Sequence, residues 1–201
     1  MEPFTAIVLA GGASARMGRP KALLQFGAET LIERVVRRLE AIASEVVVVS
    51  GPHLVLPALR NARVIEDEKP LQGPVAGILY GLRAARTDLG FVCGCDHPFV
   101  EPAVVRLLVE RAAAARGAVA VFDGIPQPLV GAYRQSVAEI AASMLAAGER
   151  RAAALVRQAG LVEVPEEDLL QIDPSGRGFL DVDTPEAYKR ALELLSLRVS
   201  R

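Results

Sequence analysis

Arg16 and Lys21 follow the paired glycines Gly11 and Gly12 in the run Leu9-Ala10-Gly11-Gly12-Ala13-Ser14-Ala15-Arg16-Met17-Gly18-Arg19-Pro20-Lys21. Glycines let the backbone approach a ligand closely and turn its N–H groups outward, and the two cations supply the charge a phosphate chain requires. A tight strand-to-helix turn with solvent-facing basic groups would use the same residues, but packing alone gives no reason for both cations. The spacing matches neither the dinucleotide fingerprint nor the P-loop, since no Ser or Thr follows Lys21. Asp96 leaves an apolar run in Cys95-Asp96-His97-Pro98. A carboxylate there can hold Mg²⁺ against phosphate oxygens, or cap a turn. His97 reads as a loop residue.

Three further groups are candidates. Asp67, in Glu66-Asp67-Glu68-Lys69, is as easily a solvated loop residue as a ligand contact. Asp181 and Asp183 flank Val182; on extended backbone they are expected on opposite sides, one approaching a metal while the other braces the loop. Asp183 or Thr184 can instead cap the following helix. Gly148-Glu149-Arg150-Arg151 is either a charged turn between helices or a source of arginines for an anionic second substrate.

These residues need a scaffold that gathers them. Thr5 to Ala10 is an apolar, β-branched run typical of a buried parallel strand. Glu45–Ser50, Arg63–Ile65, Leu89–Cys93 and Ala118–Phe122 repeat the pattern, with Pro128–Tyr133, Leu161–Val164 and Phe179–Val182 as later strands. Thr30 and Glu33 form a capping box before Leu31, Ile32, Val35, Val36 and Leu39 at helical spacing. Further helices are predicted at Leu54–Leu59, Pro74–Arg86, Pro102 to about Gly117, Ser136–Ala147, Arg150–Gln158 and from Pro185. Strands alternating with helices predict a three-layer, Rossmann-like α/β fold around a mostly parallel, mixed sheet. Ligands of such sheets bind beyond the carboxyl ends of the strands, where the glycine run, Asp67 and Asp96 all fall.

The chain has 201 residues and a formal net charge of −1, which argues for one domain and against a broad nucleic-acid or anionic-membrane surface. No stretch is long and apolar enough to suggest a membrane span. Cys93 and Cys95 are expected to face opposite sides of the sheet, unsuited to a mutual disulfide, and their usage fits a reducing cytoplasm.

Leu9-Ala10-Gly11-Gly12, Ser14, Arg16-Met17-Gly18 and Lys21-Ala22-Leu23 resemble the signature of molybdenum cofactor guanylyltransferases, within the larger nucleotidyltransferase fold. Gly73-Pro74-Val75-Ala76-Gly77, Cys95-Asp96-His97-Pro98, Gly148 to Arg151 and Asp183-Thr184-Pro185-Glu186 resemble further family motifs, so the likeness spans nearly the whole chain. The resemblance implies transfer of GMP from GTP to the terminal phosphate of Mo-molybdopterin, with Mg²⁺ as cofactor. It implies that Leu9, Ala10, Gly11, Gly12 and Ser14 meet the nucleotide, that Arg16 and Lys21 hold its phosphates, that Asp67 contributes to binding, and that Asp96 binds both the nucleotide and the metal, helped at the metal by Asp183. Residues to about 100 would serve the nucleotide and residues 101–201 the acceptor, with Gln127, Pro128, Tyr133 and Arg150 as acceptor candidates. Transient contact with cofactor-assembly proteins or acceptor molybdoenzymes is expected, and nucleic acid or membrane is not. Pro20 precedes Lys21 where the family often has an acidic residue, Ser50 stands where an asparagine can serve, and Asp181 and Asp183 replace a pair of asparagines. The aspartates and Arg19-Pro20-Lys21 are similar to the sister cytidylyltransferases, so cytidylyl or another nucleotidyl transfer, or non-catalytic nucleotide binding, are the alternatives.

Overall fold

The computed structural model describes residues 2–11, 18–67 and 73–199, with side chains to residue 197. A seven-stranded sheet carries β1 (Phe4–Leu9), β4 (Glu45–Ser50), β5 (Ala62–Glu66), β6 (Leu89–Gly94), β7 (Gly117–Phe122), β8 (Ile125–Arg134) and β9 (Val162–Val164) in the order β5-β4-β1-β6-β8-β7-β9. β8 runs antiparallel to both its neighbours, and the other strand pairs are parallel. The chain leaves β1 toward β4 and β5 and then returns to β6 on the other flank. That reversal makes the carboxyl end of β1 a topological switch point, where a crevice opens between diverging connections.

Alternation along the strands divides the core. Ala6, Val8 and Ala10 face the layer formed by α1 (Leu31–Glu40) and α3 (Pro102–Ala113), while Ile7 faces α2 (Pro74–Ala84), α4 (Val137–Ala146) and α5 (Ala152–Ala159). α1 starts at the expected capping box, Glu33 N–H donating to Thr30 Oγ1 at 3.4 Å and Thr30 N–H to Glu33 Oε2 at 2.7 Å. Its five predicted apolar residues are all buried. A small third core joins the hairpin of β2 (Gln25–Phe26) and β3 (Glu29–Thr30) to the terminal helix: Leu24, Phe26, Leu31, Phe99, Val182 and Ala191. That helix is α7 (Pro185–Val199), preceded by the short α6 (Glu166–Ile172).

Three expectations are corrected. Leu54–Leu59 is irregular, because Leu54, Leu56 and Leu59 already reach the first core from an open trace interrupted by Pro57. At Phe179–Val182 a short 3₁₀ turn, Arg177–Phe179, replaces the strand and no sheet edge receives it. Cys93 and Cys95 share the first core cluster, since residues two apart along a strand lie on one face. Both are free and buried, and burial, with the Asp96 charge, pushes their thiols up out of the reactive range. Among the described residues no helix is long and apolar enough to cross a membrane.

Candidate active site

Backbone pairing continues just past the strand ends and fixes the crevice floor. Ala10 N–H donates to Val49 O at 2.8 Å, Cys95 N–H to Leu9 O at 3.0 Å, and Asp67 N–H to Ser50 O at 2.9 Å. Leu9, Ala10, Gly11, Gly51, Asp67 and Asp96 therefore leave the sheet along one edge. Gly11 and Gly51 approach backbone to backbone, and a Cβ on Gly11 would lie 3.0 Å from Gly51 N. Only glycine fits that contact without moving the loop. Ser50 donates its hydroxyl to Ile65 O at 3.3 Å and is buried, so it braces the floor.

Lys21 and Asp96, distant in sequence, meet here. Lys21 opens a 3₁₀ turn, Lys21–Leu23, and its Nζ lies 2.9 Å from Asp96 Oδ2. The other carboxylate oxygen, Oδ1, lies 3.1 Å from Nδ1 of His97, which is buried. Burial alone would raise the Asp96 pKa, but His97 and Lys21 override it and hold the carboxyl well below the usual range. The group is thus a fixed anion facing the crevice. Gly94 leaves room for it, since a Cβ there would stand 2.2 Å from Asp96 Oδ1. His97, expected only as a loop residue, is part of this constellation; the signal available in the sequence was a polar ring inside the apolar run from Phe91 to Val100.

The segment before α7 crosses the same point. Val182 N–H donates to Asp96 O at 2.9 Å, and the Val182 side chain is buried in the third core. The flanking aspartates do not diverge as expected, because side chains two apart on open backbone turn the same way. Burial raises the Asp181 carboxyl, with Asp183 and Asp96 adding to the rise and His97 and Lys21 opposing it. Asp181 thus lies within electrostatic reach of both Asp96 and Asp183. Thr184 also serves α7, its Oγ1 accepting from Ala187 N–H at 3.1 Å.

Other candidates stand further off. Asp67 follows the last residue of β5, three strand spacings from β6 and so roughly 14 Å from the Asp96 strand. Arg150 lies against the start of α2, its carbonyl 3.2 Å from where a Cβ on Gly73 (φ +76°) would be. Its neighbour Arg151 is engaged by Glu149 through Nε at 2.9 Å. Gly12, Ser14 and Arg16 lie outside the described residues. Tyr133 is corrected: it is fully buried in the second core with its hydroxyl donating to Pro128 O at 2.5 Å, so it lines no acceptor site. Gln127 is used locally, its side chain donating to Ile125 O at 3.1 Å.

Among the described residues no three His, Cys, Asp or Glu side chains form a metal cluster. This excludes a closed protein cage there, but Mg²⁺ commonly takes one or two carboxylates and completes its shell with water and phosphate oxygens. Asp96 with one flanking aspartate would make a donor set of that open kind. A cation reaching Asp96 must share or replace the Lys21 contact.

Residues 6–164 match the family described as MobA-like NTP transferase domain. A Carboxydothermus hydrogenoformans protein named "Probable molybdenum cofactor guanylyltransferase" is 32% identical over 198 residues, covering 98% of this chain and 100% of that one. A Bacillus cereus (strain AH187) protein of the same name is 33% identical over 201 residues, covering 98% and 99%. Among solved structures, molybdopterin-guanine dinucleotide biosynthesis protein A from Archaeoglobus fulgidus superposes with a TM-score of 0.80 at 26% identity, covering 96% and 98%.

Proposed function

The chain belongs to the MobA-like NTP transferase family, and from that premise we propose that it is a molybdenum cofactor guanylyltransferase, moving GMP from GTP to the terminal phosphate of Mo-molybdopterin. Pyrophosphate leaves and the guanine dinucleotide cofactor forms. The observation that carries the reading is the Lys21–Asp96 pair at 2.9 Å, set at the switch point past the carboxyl ends of β1 and β6.

A phosphate monoester is already a competent nucleophile near neutral pH, so the work left to the protein is alignment and neutralisation. Backbone N–H groups after β1 receive the nucleotide, and the Gly11–Gly51 approach keeps that floor low. Lys21, with Arg16, holds the phosphates and the charge that develops on the departing pyrophosphate. Asp96 stays ionised between Lys21 and His97 and keeps one orientation. Asp96 and Asp183 would hold Mg²⁺, which would supply charge neutralisation to the triphosphate. Asp67 meets a part of the nucleotide remote from Asp96. Residues to about 100 serve the nucleotide, while the later half, with Arg150, receives the anionic acceptor. Free buried thiols at Cys93 and Cys95 favour a cytoplasmic setting, from which the product passes to acceptor molybdoenzymes or assembly proteins.

The test is label transfer with Mo-molybdopterin. Label from the α-phosphate of GTP is expected in the pterin product and label from the γ-phosphate is not. Transfer from CTP but not GTP would move the protein to cytidylyl transfer, and no transfer from any triphosphate would overturn the reading.

A further inference from the structure

Lys21 and Asp96 lie on separate connections, and nothing in the covalent chain sets the distance between them. Both connections are fastened to α1. At its amino end, Leu31 N–H donates to Leu24 O at 2.9 Å and Leu24 N–H donates to Lys21 O at 2.9 Å, while Ala22 is buried in the same core as Ile32, Val35 and Val36. Along one face, Arg34 and Arg38 stand one helical turn apart and reach the loop that follows Asp96. Arg34 Nε donates to Pro98 O at 3.3 Å, and Arg38 Nε donates to Val100 O at 2.6 Å.

Both arginines are themselves held. Arg34 pairs with Glu29 at 3.2 Å and lies over the Phe26 ring at 5.7 Å, and that ring packs edge-on against Phe99 at 5.6 Å. Arg38 pairs with Glu101 at 3.2 Å. Their side chains are only 13% and 16% exposed, so these contacts are shielded from competing water. The grip brackets Phe99, and Val100 N–H donates back to His97 O at 3.1 Å, so it extends to the residue beside Asp96. Arg37, on the solvent side at 56% exposure, shares Glu29 but reaches no carbonyl of this loop.

We propose that Arg34 and Arg38 are positioning residues that set the separation of Lys21 and Asp96 by clamping the Asp96 loop to the helix that also anchors the Lys21 turn. The inference rests on the assignment of Lys21 and Asp96 to the triphosphate and its cation. A planar guanidinium held at both ends fixes a carbonyl in a way that the flexible ammonium of lysine does not. Displacement of a reacting group by about 1 Å can cost up to about a hundredfold in rate, so loss of the clamp acts on turnover more than on nucleotide affinity.

The experiment compares wild type with Arg34→Lys, Arg38→Lys, Arg34→Met, Arg38→Met and Arg37→Met as the control. Each is checked for fold by circular dichroism and thermal unfolding. Two readouts follow: Mn²⁺ affinity in the GTP complex by electron paramagnetic resonance, and the kcat and KM of GMP transfer. The Met variants at 34 and 38 are expected to lose about tenfold or more in kcat and in Mn²⁺ affinity with KM for GTP little changed, the Lys variants to be intermediate, and Arg37→Met to match wild type. Should the Met variants fail to fold, the Lys variants decide the matter. Folded variants that bind Mn²⁺ and turn over like Arg37→Met would overturn the clamp while leaving the site assignment intact. Wild type that binds no Mn²⁺ with GTP would overturn the site assignment, and the clamp with it.

Discussion

The backbone N–H of Val182 donates to the carbonyl of Asp96 at 2.9 Å, tying the segment ahead of the terminal helix to the carboxylate at the switch point. Beside this bond the Asp181 carboxyl feels the charges of both Asp96 and Asp183. Such crowding opposes folding, is partly offset by His97 and Lys21, and in the proposed function would be relieved further by the cation that accompanies the triphosphate.

Substitution Asp181→Asn tests that cost. The Asp181 carboxyl is raised by burial and by Asp183 and Asp96, so the folded state binds its proton more tightly than the unfolded chain does. Its ionisation therefore lowers stability as pH rises through and above the usual carboxylate range. The variant is expected to unfold about 1–2 °C higher at pH 7, a small gain after solvent screening, and to need more Mg²⁺ for half-maximal turnover. A lower melting temperature would mean that the carboxylate makes a stabilising contact instead.

Glu29 behaves in the opposite sense. The Arg37 hydrogen bond, against burial and with help from Arg34, lowers its pKa. Its ion pairs thus add stability that is fully present above the unfolded value of about 4.3 and lost as pH falls through the folded one. Glu29→Gln should cost about 1 kcal/mol at pH 7, with the deficit shrinking below about pH 4 in denaturant titrations. A deficit of constant size across that range would count against the ion pairs.

Gly94→Ala separates orientation from folding. The added methyl would stand 2.2 Å from Asp96 Oδ1 and 3.1 Å from His97 Nδ1, side-chain atoms both, so the carboxylate must turn away from its partners to make room. The protein should fold with stability within about 1–3 kcal/mol of wild type while kcat falls about tenfold or more. Unchanged kcat would show that the Asp96 rotamer is immaterial.

Tyr133→Phe removes only the hydroxyl that donates to Pro128 O. The expected loss is about 1 kcal/mol in unfolding free energy, with KM for the acceptor unchanged. A raised acceptor KM would return Tyr133 to the substrate site.

Much of this was legible along the chain. The run from Thr5 to Ala10, the valines of β4 and the box of Thr30 with Glu33 carry local signals strong enough to fix their elements. Asp96 was legible as a carboxylate at the end of a buried strand. Less so were the features set by distant partners: the burial of His97, the packing of Arg150 on Gly73, and the reach of Arg34 and Arg38 to carbonyls more than 60 residues away. The stretch from Phe179 to Val182 has strand-like residues but lacks a sheet edge to join, and Leu54–Leu59 satisfies its leucines without a helix. Short α6 was hidden by the acidic first turn Glu166, Glu167 and Asp168.

The most direct measurement is a calorimetric titration of GTP and CTP, each with Mg²⁺, into the wild-type protein and into Asp96→Ala. The account expects GTP to bind wild type, CTP to bind far more weakly, and the variant to lose about tenfold or more in affinity for Mg-GTP, a difference of about 1.4 kcal/mol. Equal binding of Mg-GTP by wild type and Asp96→Ala, or no Mg²⁺-dependent binding of either triphosphate, would contradict it.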